Sequence, residues 1–284
     1  MERPYRLVTR LDPPDSASAA ASPTTPYRRF VARSPEGDRT VLFSAPHPGA
    51  DPDLFRAEAE AAQRVTAPWT LPVQAVGGAD GAGGSWFTHP YSPALPLPVA
   101  LAVHGGPLPE GTVRVIGAAI AETIAALHAQ GVTHAGVAPA AVLLTADGPR
   151  LTGFGTARAT DRVDREAQAP EEAAAGAVPG TPGDVYGLGA VLAYAATGHT
   201  VPERSELPES LRSVISACLT RDPAQRPAAA ALLTALAPPA PHGTVLGSAA
   251  SLLTPGWLPA RVVAALAHQS ASLLAAELPA TSGS

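Results

Sequence analysis

From Tyr5 to about Trp86 the chain carries short apolar runs separated by turn-forming residues, a strand-like pattern broken by one helical segment. Arg6-Leu7-Val8 and Phe30-Val31-Ala32-Arg33 read as strands on either side of a Pro/Ser/Ala/Thr-rich stretch, Asp12 to Pro26, which predicts a flexible loop. Ser34-Pro35-Glu36-Gly37-Asp38 turns the chain into Thr40-Val41-Leu42-Phe43, a predicted hairpin. Good helix formers then run from Asp53 to Ala62 behind a candidate N-cap, Asp51 or Asp53. Val73 to Val76 and Ser85 to Thr88 flank the glycine-rich Gly77 to Gly84, giving a second hairpin.

After Pro93 the pattern becomes helical. Ile116, Ile120, Ile124 and Leu127 recur at spacings of four, four and three, which places them on one face of a buried helix opened by Pro109-Glu110. Short strands are expected at Ala141 to Leu144 and Arg150 to Thr152, with Ala146 to Pro149 turning between them. Further helices are expected at Asp184 to Ala196, Leu207 to Thr220, Ala228 to Leu236 and, beyond Pro238-Pro239-Ala240-Pro241, at Pro259 to Glu277. The order, strands with one helix and then helices, is α+β.

Composition narrows the function classes. Of 284 residues 46% are hydrophobic and only 15% charged, so the chain can bury a core. The net charge is -5 with no basic cluster, which speaks against nucleic acid or anionic lipid as partner. No run of about 18 apolar residues and no leader-like N-terminus is visible, so no membrane span and a cytoplasmic location are expected. Cys218 sits in an apolar helical stretch and reads as a buried, inert thiol. All 19 basic residues are arginines, and the chain has neither lysine nor asparagine, a bias that GC-rich codons can also produce.

Ordered landmarks now resemble a known family. Ala126 to Pro139, with Leu127-His128 and Gly131-Val132-Thr133-His134, resembles the protein-kinase catalytic loop and the helix before it. Leu151-Thr152-Gly153-Phe154-Gly155 follows at the spacing of the D-F-G element, and Ala169-Pro170-Glu171 matches A-P-E. Asp184 to Gly189 is similar to the start of the central large-lobe helix, and Arg221 to Pro227 to the segment holding the arginine partner of the A-P-E glutamate. The resemblance, to bacterial Ser/Thr protein kinases, implies a two-lobed fold. A mainly antiparallel small lobe is expected over residues 1–92, with 12–26 in place of the glycine-rich loop. A helical large lobe is expected over 93–238, lacking one helix after Thr197-Gly198. A Pro-rich linker and helix fill 239–284. It also implies structural roles for Glu58, His134, Phe154, Gly155, Glu171, Asp184 and Arg226.

The departures from the family pattern fall on the chemistry. Kinases position ATP with a lysine, two Mg²⁺ ions and a catalytic-loop aspartate. Here Ser44 stands at the lysine position, Gly136 at the aspartate, Ala138 at the lysine two positions on, Ala141 at the metal-binding asparagine and Gly153 at the D-F-G aspartate. Leu11 to Tyr27 contains no glycine, and Leu42 and Arg29 replace small or apolar residues against the adenine. His89 and Phe154 complete the remnant cleft, and Glu58, deprived of its lysine, is expected to be solvated or to repel phosphate. Mg-ATP binding is therefore expected to be weak or absent, with no resident cofactor or metal. The chain is expected to be a pseudokinase, not an enzyme, that regulates or scaffolds a protein partner. Alternatives are an atypical enzyme using Glu58, His134, Asp161 or Asp164 as acid or base, and a small-molecule sensor. The C-terminal helix either packs on the large lobe or binds a partner.

Overall fold

A computed structural model describes residues 5–12, 25, 27–34, 36–78, 84–159, 165–174, 177–236 and 248–277. The small lobe is a five-stranded antiparallel sheet in the order β1-β2-β3-β5-β4, built from β1 (Arg6–Arg10), β2 (Arg28–Arg33), β3 (Thr40–Ala45), β4 (Ala75–Gly77) and β5 (Trp86–Pro90). Its two faces follow from the two-residue period of a strand. Ala32, Val41, Phe43 and Ala45 cluster on one face with Tyr5 and Trp86. Beneath the other face Phe87 meets Tyr27 and Phe55, the last carried by helix α1 (Pro52–Gln63). Helix α1 begins at Pro52 because the Asp51 carboxylate accepts from the amides of Asp53 and Leu54 at 2.8 and 3.1 Å.

The large lobe opens with strand β6 (Ala94–Pro96) and helix α2 (Leu97–His104) and continues into α3 (Glu110–Ala129). Strand β7 (Val142–Thr145) pairs with β6 on one side and β8 (Gly148–Leu151) on the other, both antiparallel. After β8 come a single-turn helix α4 (Thr156–Ala159), then α5 (Thr181–Thr197), α6 (Glu209–Cys218), α7 (Ala229–Leu236) and α8 (Ala260–Glu277). Helices α3 and α5 form the centre of the core, and small residues set their spacing. A Cβ added at Gly117 would lie 2.6 Å from Leu192, and one at Gly187 would lie 2.3 Å from the Val137 carbonyl. Helix α3 is long and apolar enough to cross a membrane by length and composition. With 72% of its apolar window buried inside the protein, it is accounted for as a core helix.

Two features depart from the sequence expectation. β6 and α2 were not foreseen; Pro98 sits in the first turn of α2, where a missing N–H costs nothing. Asp12, placed by composition in a flexible loop, is buried and tied to Arg29; residues 13–24 and 26 of that loop lie outside the described residues. Of its two expected courses the tail takes the first and packs on the large lobe: Leu258, Val262 and Leu266 join its core, and Trp257 borders it. Residues 198–208, between α5 and α6, hold turns only.

Candidate active site

The floor of the small lobe is set by register. Arg29 pairs across the sheet with Ser44 and Ser44 with Phe87, while Val31 pairs with Leu42 and Leu42 with His89, so Arg29, Ser44, Leu42 and His89 share one face. Ser44 is fully buried and its hydroxyl has no hydrogen-bond partner. Its cross-strand neighbour Arg29 is thus a cation beside the position where the family keeps a lysine. Arg29 is engaged by Asp12: Nη2 lies 2.5 Å and Nε 3.0 to 3.1 Å from the carboxylate oxygens, with both side chains nearly out of water. Nη2 also donates to the Ala140 carbonyl at 2.9 Å, and Nη1 to the Thr152 hydroxyl at 3.3 Å. Tyr27, on the same face, sets its hydroxyl against Thr152 and Gly153, and burial raises its pKa. His89 donates from Nδ1 to the Pro72 carbonyl; desolvation, with Arg29 nearby, lowers its pKa to about 4, so it is neutral at pH 7.

In the large lobe, Asp184 at the start of α5 holds the loop before Gly136. Its carboxylate accepts from the amides of His134 and Ala135, each at 2.8 Å, and lies 2.9 Å from Nε2 of His128. These bonds hold Ala135 at φ 54, a conformation that ordinarily favours glycine. The Gly136 position has no room for a side chain: a Cβ there would lie 2.0 Å from the Gly153 carbonyl oxygen and 2.4 Å from Oγ1 of Thr156. The two segments that ought to supply the catalytic base and metal ligands lie against each other. Ala141 is buried against Gly153, whose φ of 84 and neighbour Ala141 Cβ, 3.3 Å from an added Cβ, both oppose a side chain. Ala138 precedes a short turn, Pro139–Ala141, that feeds β7. Phe154 stacks edge-on against His134 at 5.7 Å, and burial lowers the His134 pKa to about 4, which leaves it neutral.

Glu58 is neither solvated nor free to meet phosphate, contrary to expectation. Arg158 of α4 binds it with two bonds of 2.8 Å, donates to the Thr133 carbonyl and lies over the Phe154 ring. The missing lysine has been replaced from a different segment, and α4, which sequence reasoning did not foresee, is what presents the replacement. Gly155 is required beside it, since a Cβ there would lie 2.0 Å from Oε2 of Glu58. Farther away, Glu171 and Arg226 form a bidentate pair at 2.5 and 2.7 Å, with Arg226 also bonded to the Thr220 and Pro182 carbonyls. The candidate acids Asp161 and Asp164 lie outside the described residues. Cys218 is buried, and desolvation raises its thiol pKa to about 12, so it stays protonated.

Between α1 and the Gly153–Gly155 turn lies a cavity of about 50 Å³ lined by Phe55, Ala59, Leu71, Phe87, Leu127 and Phe154, with Glu58, His89 and His134 at its edge. It has room for a few waters; a site able to take benzene is about three times larger.

Similarity to known proteins follows the same outline. Over 263 residues the chain is 33% identical to the probable serine/threonine-protein kinase PkwA of Thermomonospora curvata, covering 82% of this chain and 34% of that protein. It is 32% identical to the serine/threonine-protein kinase AfsK of Streptomyces coelicolor, over 82% of this chain and 32% of the relative. The chain is homologous to bacterial serine/threonine protein kinases. It spans about a third of the length of these curated relatives. The crystal structure of the Mycobacterium tuberculosis PknI kinase domain superposes with a TM-score of 0.60 at 24% identity, over 82% of this chain and 96% of that one, which establishes the protein-kinase fold. No family model matches the chain.

These relatives correct one expectation. Homologues named as serine/threonine-protein kinases over more than four fifths of the chain point to a kinase enzyme, and the reading of this chain as a non-enzyme is withdrawn. Kinase homology also implies use of ATP and Mg²⁺. The residues present do not fit that pair: the catalytic-base position is filled by the Gly153 carbonyl, and the cation beside Ser44 is committed to a carboxylate. Among the described residues no group of three or more His, Cys, Asp or Glu could hold a metal.

Two of the groups that define this site, Asp12 and Arg158, escaped sequence reasoning. Arg29 and Asp12 could have been paired from the two-residue period of β2, which turns Arg29 toward a buried face where a lone cation needs a counter-ion. Arg158 carries no comparable signal, because its partner Glu58 is a hundred residues away.

Proposed function

We propose that the chain is a degenerate kinase-family module of bacterial signalling, working in the cytoplasm, whose main work is to regulate or scaffold a protein partner by binding. The observation that carries this reading is the crowding at Gly136, where the Gly153 carbonyl and Thr156 occupy the space an acidic side chain needs. Phosphoryl transfer depends on positioning and charge cancellation more than on covalent chemistry, and the family's lysine, metal-ligand and base positions are the ones replaced here. A catalytic base alone accounts for roughly 10² to 10⁴ in rate. The partner is a protein, consistent with the net charge of -5 and the lack of a basic cluster.

A second reading, favoured by the kinase names of the relatives, keeps the family's reaction in rearranged form, with Arg29 beside Ser44 as the phosphate-facing cation. One pair of measurements separates the two: thermal-shift titration with ATP and ADP, with and without Mg²⁺, followed by radiolabelled phosphate transfer to a generic protein substrate. Magnesium-dependent stabilisation together with transfer that Arg29→Ala abolishes establishes the second reading and overturns the first. Absence of both supports the binding module.

A further inference from the structure

Among the described ion pairs, Arg29–Asp12 is the one with both side chains almost completely withdrawn from water, at 2% and 1% relative exposure. It also joins the lobes. Asp12 follows β1 and Arg29 lies on β2, both in the small lobe, whereas the two further acceptors of the guanidinium, the Ala140 carbonyl and the Thr152 hydroxyl, belong to the large lobe. Tyr27 stands two residues before Arg29 on the same face and reaches Thr152 and Gly153. A buried pair of this kind is a poor source of net stability, because desolvating two charges offsets most of their attraction, and apolar residues of similar size often do as well. What it supplies is geometry: a fixed fork of donors, four of whose five sites are held to named acceptors on Asp12, Thr152 and Ala140.

We infer that the cleft is plugged from within: Arg29 forms an anion site between the lobes, Asp12 is its built-in occupant, and the filled site fastens the lobes together without any ligand. The chemical class that can take the place of Asp12 is a small oxyanion, a carboxylate or a phosphate, because the guanidinium fork fits two parallel oxygens. The inference concerns the same cleft as the proposed function but is tested without reference to phosphate transfer or to a partner, so either can fail alone.

The test is chemical rescue. Asp12→Ala leaves a buried guanidinium without its counter-ion and should lower Tm by roughly 6–20 °C. Sodium formate or acetate should restore much of that loss, with sodium chloride at equal ionic strength giving markedly less; inorganic phosphate is titrated in the same way to see whether the site admits a larger oxyanion. The double variant Asp12→Ala/Arg29→Met should recover most of the parent Tm and show no response to formate. If Asp12→Ala fails to fold, Asp12→Asn keeps the shape while removing the charge, and hydrogen exchange at the Leu151 amide, which bonds the Trp69 carbonyl between α1 and β4, reads the fastening. Faster exchange in Asp12→Asn than in the parent, with formate without effect because the amide fills the space, supports the plug. An Asp12 variant with parental Tm and exchange, formate no better than chloride on Asp12→Ala, or a double variant that remains as unstable as Asp12→Ala overturns it.

Discussion

Gly136→Ala is the smallest perturbation that probes the collapsed centre of the site. The backbone at Gly136 is not in the left-handed region, so alanine meets no conformational penalty and only crowding counts. The new methyl would stand 2.0 Å from the Gly153 carbonyl oxygen, 2.4 Å from Thr156 Oγ1 and 3.1 Å from the Gly153 carbonyl carbon. Thr156 can rotate away, but its hydroxyl then gives up a 2.9 Å bond to Gly153. The Gly153 peptide can retreat only by moving the turn that Gly155 ties to the His134 carbonyl at 2.8 Å. Overpacking of this kind costs about 1–3 kcal/mol, which for a chain of this size lowers Tm by roughly 2–12 °C. Gly136→Asp should fall further, since it adds a carboxylate to the same crowded space. Gly111→Ala serves as a control of opposite sign: nothing lies within 4 Å of its Cβ in the first turn of α3, and the lost backbone freedom of the unfolded chain should add about 0.4–1 kcal/mol. Differential scanning calorimetry of the three variants decides. A Gly136→Ala protein as stable as the parent, or a Gly136→Asp protein that gains phosphate transfer, would falsify the description of the site as closed.

Arg158→Ala and Glu58→Ala should show coupling of about 1 kcal/mol in a double-mutant cycle by urea unfolding, a modest value because the Arg158 side chain is about a third exposed. Glu171→Ala leaves the nearly buried Arg226 guanidinium without its carboxylate and should cost about 3 kcal/mol or more by the same method. His89 and His134 have folded pKa values near 4, below the ordinary 6.5, so the unfolded chain binds more protons between those limits. Stability should be complete above about pH 6.5 and fall as the pH drops toward 4, by about 3 kcal/mol for each histidine, and His89→Phe should flatten part of that slope in pH-dependent denaturation. Gln269→Ala should speed hydrogen exchange at the Ala94 amide, whose acceptor is Oε1 of Gln269 at 2.9 Å.

Much of the architecture was legible because its signals are periodic or local. The Ile116, Ile120, Ile124 and Leu127 repeat lies within α3, and the apolar run before Thr145 within β7, each near its predicted bounds. Local composition misled at Asp12, which lies in a Pro/Ser/Ala/Thr-rich stretch read as a flexible loop yet is buried against Arg29. The site was legible as a set of replaced positions but not as a set of contacts. That Ser44 lacks a positive charge can be read from one letter; that Arg158 supplies the partner of Glu58, and that Asp12 neutralises Arg29, depends on which segments the folded chain brings together. Expecting Glu58 to be solvated assumed that a lost partner leaves a vacancy, whereas a partly buried carboxylate without a cation costs enough to favour any fold that provides one.

The side-chain amide of Gln269 grips both backbone groups of Ala94, the first residue after the connection between lobes, and also receives the Tyr91 hydroxyl at 3.3 Å. Arg261, two turns earlier on α8, donates to the His104 carbonyl at the end of α2. A rod anchored to β6 and to the C-terminal end of α2, and clasping the joint, acts as a splint. Bending at that joint must strain or detach the rod, so small rotations of one half against the other are resisted from outside the crevice, and whatever is attached to the far end of the rod gains a mechanical lever on the hinge.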